Sequence, residues 1–184
     1  MHELRSELDT RKYVSQLSRR DTSSALTSYH GFHKISGGVF SSVLVHPKLD
    51  YIIKLFDNDD EGYKLFLGIA LANQKNPHFP QIRGRPMQIG SQTQGIRLEK
   101  LTPMSGSEFE DLEYMLAVAK SDPNWEENLT PNGIAREFLD KWPRFAQALN
   151  TLRDAKDSGT WFDWHGGNIM KRSDGTPVII DPFV

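Results

Sequence analysis

Two side chains that could hold a metal ion flank a predicted turn near the end of the printed sequence. Two short, largely apolar segments surround the pair Asp174-Gly175, which is typical of a two-residue β-hairpin turn. With that turn, Asn168 on one strand faces Asp181 on the other. An amide oxygen and a carboxylate oxygen placed side by side are suitable ligands for Mg²⁺, whose remaining positions are usually filled by waters and substrate phosphates.

A third polar side chain, Asp163, lies five residues before Asn168. Gly166 and Gly167 would let the intervening loop bend sharply and return to the strand. A carboxylate beside a bound metal can accept or orient the proton of a hydroxyl group, which typically contributes about 10²- to 10⁴-fold to a rate. His165 is expected to bind the loop backbone rather than a metal. An ordinary surface hairpin explains each residue alone, but explains all of them together less well.

A glycine turn between two predicted strands could approach a phosphate group. Backbone N–H groups exposed in such a turn can bind anions closely, although a Gly-Gly pair also makes ordinary hairpins. These two interpretations are equally favoured by the turn alone. The residues predicted to contact a nucleotide here are Ser36, Gly37, Gly38, Val39, Phe40 and Ser41.

Lys54 lies inside an apolar predicted strand, Tyr51–Phe56, on the same face as Ile52. A lysine among apolar neighbours needs a counter-charge or a route to water. A nucleotide phosphate could supply the charge, with Glu61 on the following helix as the best protein partner. An edge-strand lysine with its ammonium group in water is the alternative.

The predicted strand at residues 95–101 ends before Thr102-Pro103. The backbone of Glu99, Lys100 and Leu101 could therefore hydrogen-bond to the edge of an adenine ring. An ordinary strand end is equally compatible with these residues.

The order of the predicted elements indicates an α+β fold, with the sheet early and most helices late. Strands are predicted at 31–36, 39–45, 51–56 and 95–101, with at most one more within 76–91, and helices after residue 59, at 107–120 and at 132–157. Residues 1–29 are polar and form a predicted N-terminal extension. Within it, residues 19–24 are predicted as a loop, with a site of self-phosphorylation as the alternative.

The composition excludes several classes of protein. The chain has 184 residues, no cysteine and a formal net charge of -2, so disulfides, thiolate metal sites and an electrostatic nucleic-acid or membrane partner are not expected. No apolar run approaches the roughly 20 residues that span a bilayer, and the N-terminus lacks the apolar core of a signal peptide. A cytoplasmic protein is therefore predicted.

Together these motifs resemble the protein-kinase-like superfamily. Ser36–Ser41 is similar to its glycine-rich loop, Lys54 to its catalytic phosphate-pairing lysine and Glu99–Leu101 to its hinge, while Asp163-x-His165-x-x-Asn168 and Asp181 resemble its catalytic loop and metal-binding aspartate. The resemblance implies ATP and Mg²⁺ as cofactors, with Asp163 as the catalytic carboxylate and Asn168 and Asp181 as metal ligands. It also implies a minimal kinase-like domain at 30–184. An antiparallel N-lobe sheet with one helix would occupy about 30–101, and a reduced, mostly helical C-lobe about 102–184.

Within the superfamily, the sequence from about Gly31 onwards is most similar to the early serine/threonine protein kinases of lytic short-tailed bacteriophages. That resemblance implies phosphorylation of host proteins in the bacterial cytoplasm, with transcription or RNA-processing machinery as substrates, and phosphorylation of the chain itself. Pro182-Phe183 follows Asp181 in place of Phe-Gly, and the sequence ends soon afterwards. Two alternatives remain open: a small-molecule kinase of the aminoglycoside type, and an inactive kinase-like protein that inhibits a host factor.

Overall fold

The structure is a computed structural model that describes residues 17–129, 133–156 and 160–184. Its elements confirm the predicted α+β class, with antiparallel sheets and helices. In chain order they are α1 Arg19–Tyr29, β1 His33–Ser36, β2 Ser41–Val45, β3 Tyr51–Asp57, α2 Glu61–Ala72, β4 Ile82–Gln88, β5 Thr93–Glu99, β6 Thr102–Pro103, α3 Gly106–Ser121, α4 Trp125–Asn128, α5 Ile134–Lys141, α6 Pro143–Ala155, a 3₁₀ turn at Gly166–Asn168, β7 Ile169–Lys171 and β8 Pro177–Ile179. Among the described helices, none combines the length and apolar character needed to cross a membrane.

The chain forms two compact units. The first contains the residues up to Glu61 together with Gln81–Lys100, and the second contains Gly62–Pro80 together with Leu101–Val184. Each unit has its own antiparallel sheet, with strand order β1-β2-β3-β5-β4 in the first and β6-β7-β8 in the second. The predicted division of residues 30–184 into lobes near residue 101 stays a prediction.

Helix α1 corrects the prediction of a loop at residues 19–24. Ser18 caps the helix by accepting a hydrogen bond from the backbone N–H of Asp21 at 3.2 Å. The buried face of α1 contains Thr22 and Ser23 beside Leu26, so the apolar period that identifies a helix is nearly absent from the sequence. Leu26 is fully buried in the core of the first unit, and α1 is therefore part of that core. The core cluster contains Leu26, Phe32, Leu44, Tyr51, Ile53, Leu55 and Ile89.

The later helices of the second unit differ from the prediction by the short helix α4, which was not predicted, and by a break at one proline. The predicted helix at 107–120 is α3, whereas the predicted helix at 132–157 is divided into α5 and α6. Pro143 begins α6, because a proline is tolerated in the first turn of a helix but lacks the N–H that would continue α5. Gly62 on α2 lies against the backbone of Phe183, where a Cβ atom would approach to 3.2 Å.

The C-terminal hairpin forms, but its register differs by one residue from the prediction. Gly175 has a φ of +85°, and no described non-glycine residue has positive φ. The predicted two-residue turn needs positive φ at Asp174 as well, which is costly for a side chain with a Cβ. A three-residue turn with Gly175 in the left-handed region forms instead, and Ile169 pairs with Ile179. By extension Asn168 lies opposite Ile180, so the predicted pairing of Asn168 with Asp181 is wrong.

An ion pair joins helix α3 to this hairpin. The ammonium group of Lys171 on β7 donates to both carboxylate oxygens of Glu108, at 2.6 and 2.7 Å. Glu108 also completes a capping box with Ser105 at the start of α3. These hydrogen bonds, from Lys171 first and then from Ser105, lower the pKa of Glu108 to about 2.

Glu108→Gln is expected to lower the free energy of unfolding at neutral pH, because the charge contact with Lys171 is lost. The folded chain keeps Glu108 ionised down to about pH 2, whereas the usual pKa of a glutamate is 4.5. The stabilisation that ionised Glu108 gives the folded chain is therefore complete above about pH 4.5 and is lost as the pH falls from there to about 2. Urea midpoints of the two proteins should therefore converge over that range. Glu113→Gln, at an exposed position of the same helix, is the control. A gap between native and Glu108→Gln that stayed constant with pH would contradict the assignment.

Candidate active site

The loop before β7 brings Asp163 and Asn168 into direct contact. The amide nitrogen of Asn168 donates to the Asp163 carboxylate at 3.0 Å and to the Asp163 backbone carbonyl at 2.7 Å. The 3₁₀ turn Gly166–Asn168 closes the loop, with the backbone N–H of Asn168 donating to the carbonyl of His165 at 2.9 Å. The loop therefore holds an amide and a carboxylate at one fixed place.

His165 binds the loop backbone, as predicted. Its Nδ1 accepts a hydrogen bond from the backbone N–H of Gly167 at 3.0 Å, so the proton of the neutral ring lies on Nε2. Nε2 lies 3.4 Å from the Asp163 carboxylate and 3.1 Å from the amide nitrogen of Asn168. The ring therefore lies beside both side chains.

Asp181 is placed beside this loop by backbone pairing on both of its sides. The N–H of Ile180 donates to the carbonyl of Asn168 at 3.0 Å, and the carbonyl of Pro182 accepts from the N–H of Asp163 at 2.8 Å. Asp181 lies between Ile180 and Pro182 in the chain, and consecutive Cα atoms are about 3.8 Å apart. Asp181 is therefore close to both Asn168 and Asp163. The one-residue shift of the hairpin thus removes the direct pairing but keeps Asp181 next to Asn168 and Asp163.

The oxygen atoms of this loop suit a hard cation such as Mg²⁺. Because the planar amide of Asn168 turns its nitrogen towards Asp163, its Oδ1 is directed away from Asp163. Asp181 is half-buried beside it. In the described part of the chain, no group of three or more His, Cys, Asp or Glu side chains is placed to hold a metal. Magnesium bound through one or two side chains and completed by waters and phosphates does not need such a group.

A buried histidine that no sequence motif indicates fixes the hairpin that carries Asn168 and Asp181. His78, which is 1% exposed, donates from Nδ1 to the carbonyl of Pro177 at 2.7 Å. Its own carbonyl accepts the N–H of Ile179 at 2.9 Å, so the segment after α2 pairs with the outer edge of β8. The ring packs edge-on against Trp142 and Phe145. Burial lowers the pKa of His78 below its usual 6.5, as do, to a smaller extent, two nearby arginines.

Stability of the second unit is expected to fall as the pH drops below about 6.5. The folded chain keeps His78 neutral where the unfolded chain already binds a proton, so the stabilisation is complete above that pH and is lost as the pH falls towards the lowered pKa. The measurement is the free energy of unfolding from about pH 7.5 to about pH 5. His78→Gln should flatten the slope, and His33→Gln, at an exposed position, should preserve it. An unchanged slope in His78→Gln would exclude this role.

The predicted glycine turn connects β1 to β2 in the first unit. Gly37, Gly38, Val39 and Phe40 lie between the strands, which are shorter than predicted because β1 begins at His33 and β2 at Ser41. Gly37 is required by close approach, since a Cβ there would meet the Lys34 side chain at 2.8 Å and the Ser41 carbonyl at 2.9 Å. Val39 and Phe40 are exposed at 79% and 52%. The turn therefore presents its tip to solvent.

Arg19 on α1 holds this turn, which sequence analysis did not anticipate. Its guanidinium donates to the backbone carbonyls of Val39 and Ser41 and, at 3.2 Å, to the hydroxyl of Ser42. The same group contacts both carboxylate oxygens of Asp57 at 3.0 Å. Arg19 and Asp57 are far apart in sequence, so no local spacing signals the contact. The donors of Arg19 fix the glycine turn to the helix and to the end of β3.

Lys54 lies in the middle of the sheet of the first unit. It pairs with Val43 on β2 and with Ile96 on β5, and it is only 6% exposed. The predicted buried lysine is therefore present in a central strand, and the edge-strand alternative is wrong. Glu61 is the first residue of α2 and is exposed. Its pairing with Lys54 stays a prediction.

The predicted adenine-reading segment begins at the end of β5. The backbone N–H of Glu99 donates to the carbonyl of Gln81 at 3.0 Å and is already used within the sheet. The side chain of Glu99 accepts the backbone N–H of Gln81 at 2.7 Å. Lys100 and Leu101 follow the strand rather than belonging to it. The adenine-binding role predicted for Glu99, Lys100 and Leu101 stays a prediction.

Comparison with known proteins gives distant structural likenesses and no sequence match. No protein-family model and no curated protein matches the sequence. Among solved structures, the kinase PK-1 of Cydia pomonella granulovirus is similar, with a TM-score of 0.44 and 12% sequence identity. The match covers 89% of this chain and 58% of that chain. A likeness at this level assigns neither a family nor an activity, and the resemblance to bacteriophage kinases stays a prediction.

Proposed function

We propose that this chain is an ATP-dependent protein serine/threonine kinase. The observation that carries the proposal is the loop in which the Asn168 amide is bonded to Asp163 while backbone pairing places Asp181 beside both. A kinase needs oxygen ligands for magnesium next to a carboxylate that can orient a hydroxyl group, and this loop has both. The buried Lys54 and the glycine turn of the first unit support the same function.

Each residue would have a distinct role. When bound, Mg²⁺-ATP supplies the γ-phosphoryl group and the positive charge that neutralises it. Asn168 and Asp181 would hold the metal through their oxygens, and Asp163 would orient the substrate hydroxyl and accept its proton. Lys54 and the backbone of Ser36–Ser41 would bind the phosphates. Positioning and charge neutralisation, rather than covalent chemistry by the protein, would supply most of the acceleration.

Protein hydroxyls of a bacterial host, in its cytoplasm, are the proposed substrates, with transcription or RNA-processing machinery as the partners. Self-phosphorylation is also proposed. Of the hydroxyls at the start of α1, Thr22 and Ser23 are buried, whereas Ser24 is exposed. Ser24 is therefore the accessible candidate among residues 19–24.

The test is incubation of the purified chain with γ-labelled ATP and Mg²⁺, alone, with a bacterial lysate, and with aminoglycosides. Transfer of label to serine or threonine of the lysate proteins is expected, and omission of Mg²⁺ should abolish it. Label on the aminoglycosides alone would show that the chain is a small-molecule kinase and would contradict the proposal. No transfer under any condition, from a chain shown to be folded, would exclude the activity.

A further inference from the structure

A cavity of about 400 Å³ lies between α1 and the β1–β2 turn, within the first unit. Its volume is within the range of small-molecule binding sites. Basic and hydroxyl side chains from both elements line it, and it has no acidic lining residue. The residues that carry the argument are Arg20, Ser24, Thr27, Lys34, Gly38 and Ser42.

This cavity is on the opposite face of the sheet from Lys54. Lys34 pairs with Leu44, and Leu44 pairs with Ile53, so these residues share the face on which α1 packs. Successive side chains of a strand point to opposite faces, so Lys54 points to the other one. The cavity is therefore separate from the phosphate-binding role proposed for Lys54.

Two of the described lining residues, Arg20 and Lys34, carry positive charges that no described lining residue neutralises. Arg19 also lines it, but its guanidinium is neutralised by Asp57 and its donors are used by the glycine turn. Arg20 and Lys34 are exposed, and neither forms an ion pair with any residue that the structure describes. The side chain of Lys34 passes over Gly37, so its ammonium group lies beside the β1–β2 turn that borders the cavity.

We propose that this cavity binds a phosphate monoester. Such a group is close to a dianion at neutral pH and has three strong acceptor oxygens. They match Arg20 and Lys34, for which the described residues provide no ion-pair partner, and the hydroxyls of Ser24 and Ser42. The volume leaves room for an organic part as well as the phosphate. The phosphate group belongs either to a free ligand or to a phosphoserine at position 24. Ser24 lies one helical turn from Arg20 on the same face of α1. The inference does not depend on the proposed kinase activity.

The first test is calorimetric titration of the full chain with inorganic phosphate at constant ionic strength. Native protein should bind one phosphate per chain, and the double variant Arg20→Gln/Lys34→Gln should bind it at least about tenfold more weakly, because charge-assisted hydrogen bonds are lost. The matched control, Lys48→Gln/Arg85→Gln, removes two exposed charges of the same unit outside the cavity and should bind as the native chain does. Equal binding by the native chain and the Arg20→Gln/Lys34→Gln variant would overturn the site.

The second test places phosphoserine at position 24 during synthesis, so no kinase activity of the chain is needed. If the covalent source is correct, this chain unfolds at higher denaturant than its unphosphorylated form and no longer binds inorganic phosphate, and the Arg20→Gln/Lys34→Gln changes abolish the gain. If the phosphoserine form binds inorganic phosphate as tightly as the unphosphorylated chain does, the natural occupant of the cavity is a free ligand. Absence of both phosphate binding and stabilisation by phosphoserine would refute the proposal.

Discussion

Replacing Asp163 or Asp181 by asparagine is expected to lower phosphoryl transfer by at least about 100-fold while the chain stays folded. Asparagine has nearly the shape of aspartate and keeps an oxygen acceptor, so the hydrogen bond from Asn168 to position 163 can persist. The backbone bonds that place Asp181 do not involve its side chain. What each variant loses is one negative charge, at the point where the proposed mechanism requires a hydroxyl proton or a metal ion to be bound.

The measurement is initial rates of label transfer, with urea unfolding and circular dichroism recorded for each protein. Asp174→Asn is the matched control, because it removes a carboxylate from the same hairpin while keeping an acceptor for the N–H of Thr176. That variant should transfer phosphate at close to the native rate. Native activity in either the Asp163 or the Asp181 variant would disprove the roles proposed for them.

Leu26→Ala is expected to lower the free energy of unfolding of the first unit by about 2–5 kcal/mol. Leu26 is 0% exposed and packs in the cluster that contains Leu44, Ile53 and Leu55. Truncation loses the burial of the removed methyl groups and leaves a cavity between α1 and the sheet. The effect is large because α1 is a part of the core.

Denaturant unfolding and hydrogen exchange of the β3 amides together measure this effect, since exchange reports the first unit directly. Tyr29→Ala on the same helix is the control. Tyr29 is 82% exposed, and its loss should change stability by no more than about 0.5 kcal/mol. If Leu26→Ala were as mild as Tyr29→Ala, α1 would not be a structural part of the unit.

Contacts between residues close in sequence were the ones that could be predicted. The loop from Asp163 to Asn168 closes over five residues, and His165 binds the backbone two residues on, so residue types and spacing were enough to propose both. The strand around Lys54 was recognised from its short run of apolar residues. Helix α1 was missed because its buried face is partly made of hydroxyl residues, which look like those of a loop.

The sequence by itself determined the α+β class, the apolar strand around Lys54 and the sharp bend of the Asp163–Asn168 loop, because short-range sterics and periodicity encode such features. Only the tertiary structure decided the hairpin register, which depends on whether Asp174 adopts positive φ. It also decided that Arg19 meets Asp57 and that His78 fixes β8, since these contacts join segments whose separation along the chain has no characteristic spacing. Packing of whole helices and strands brings such residues together. A single sequence contains both partners but does not indicate that they pair.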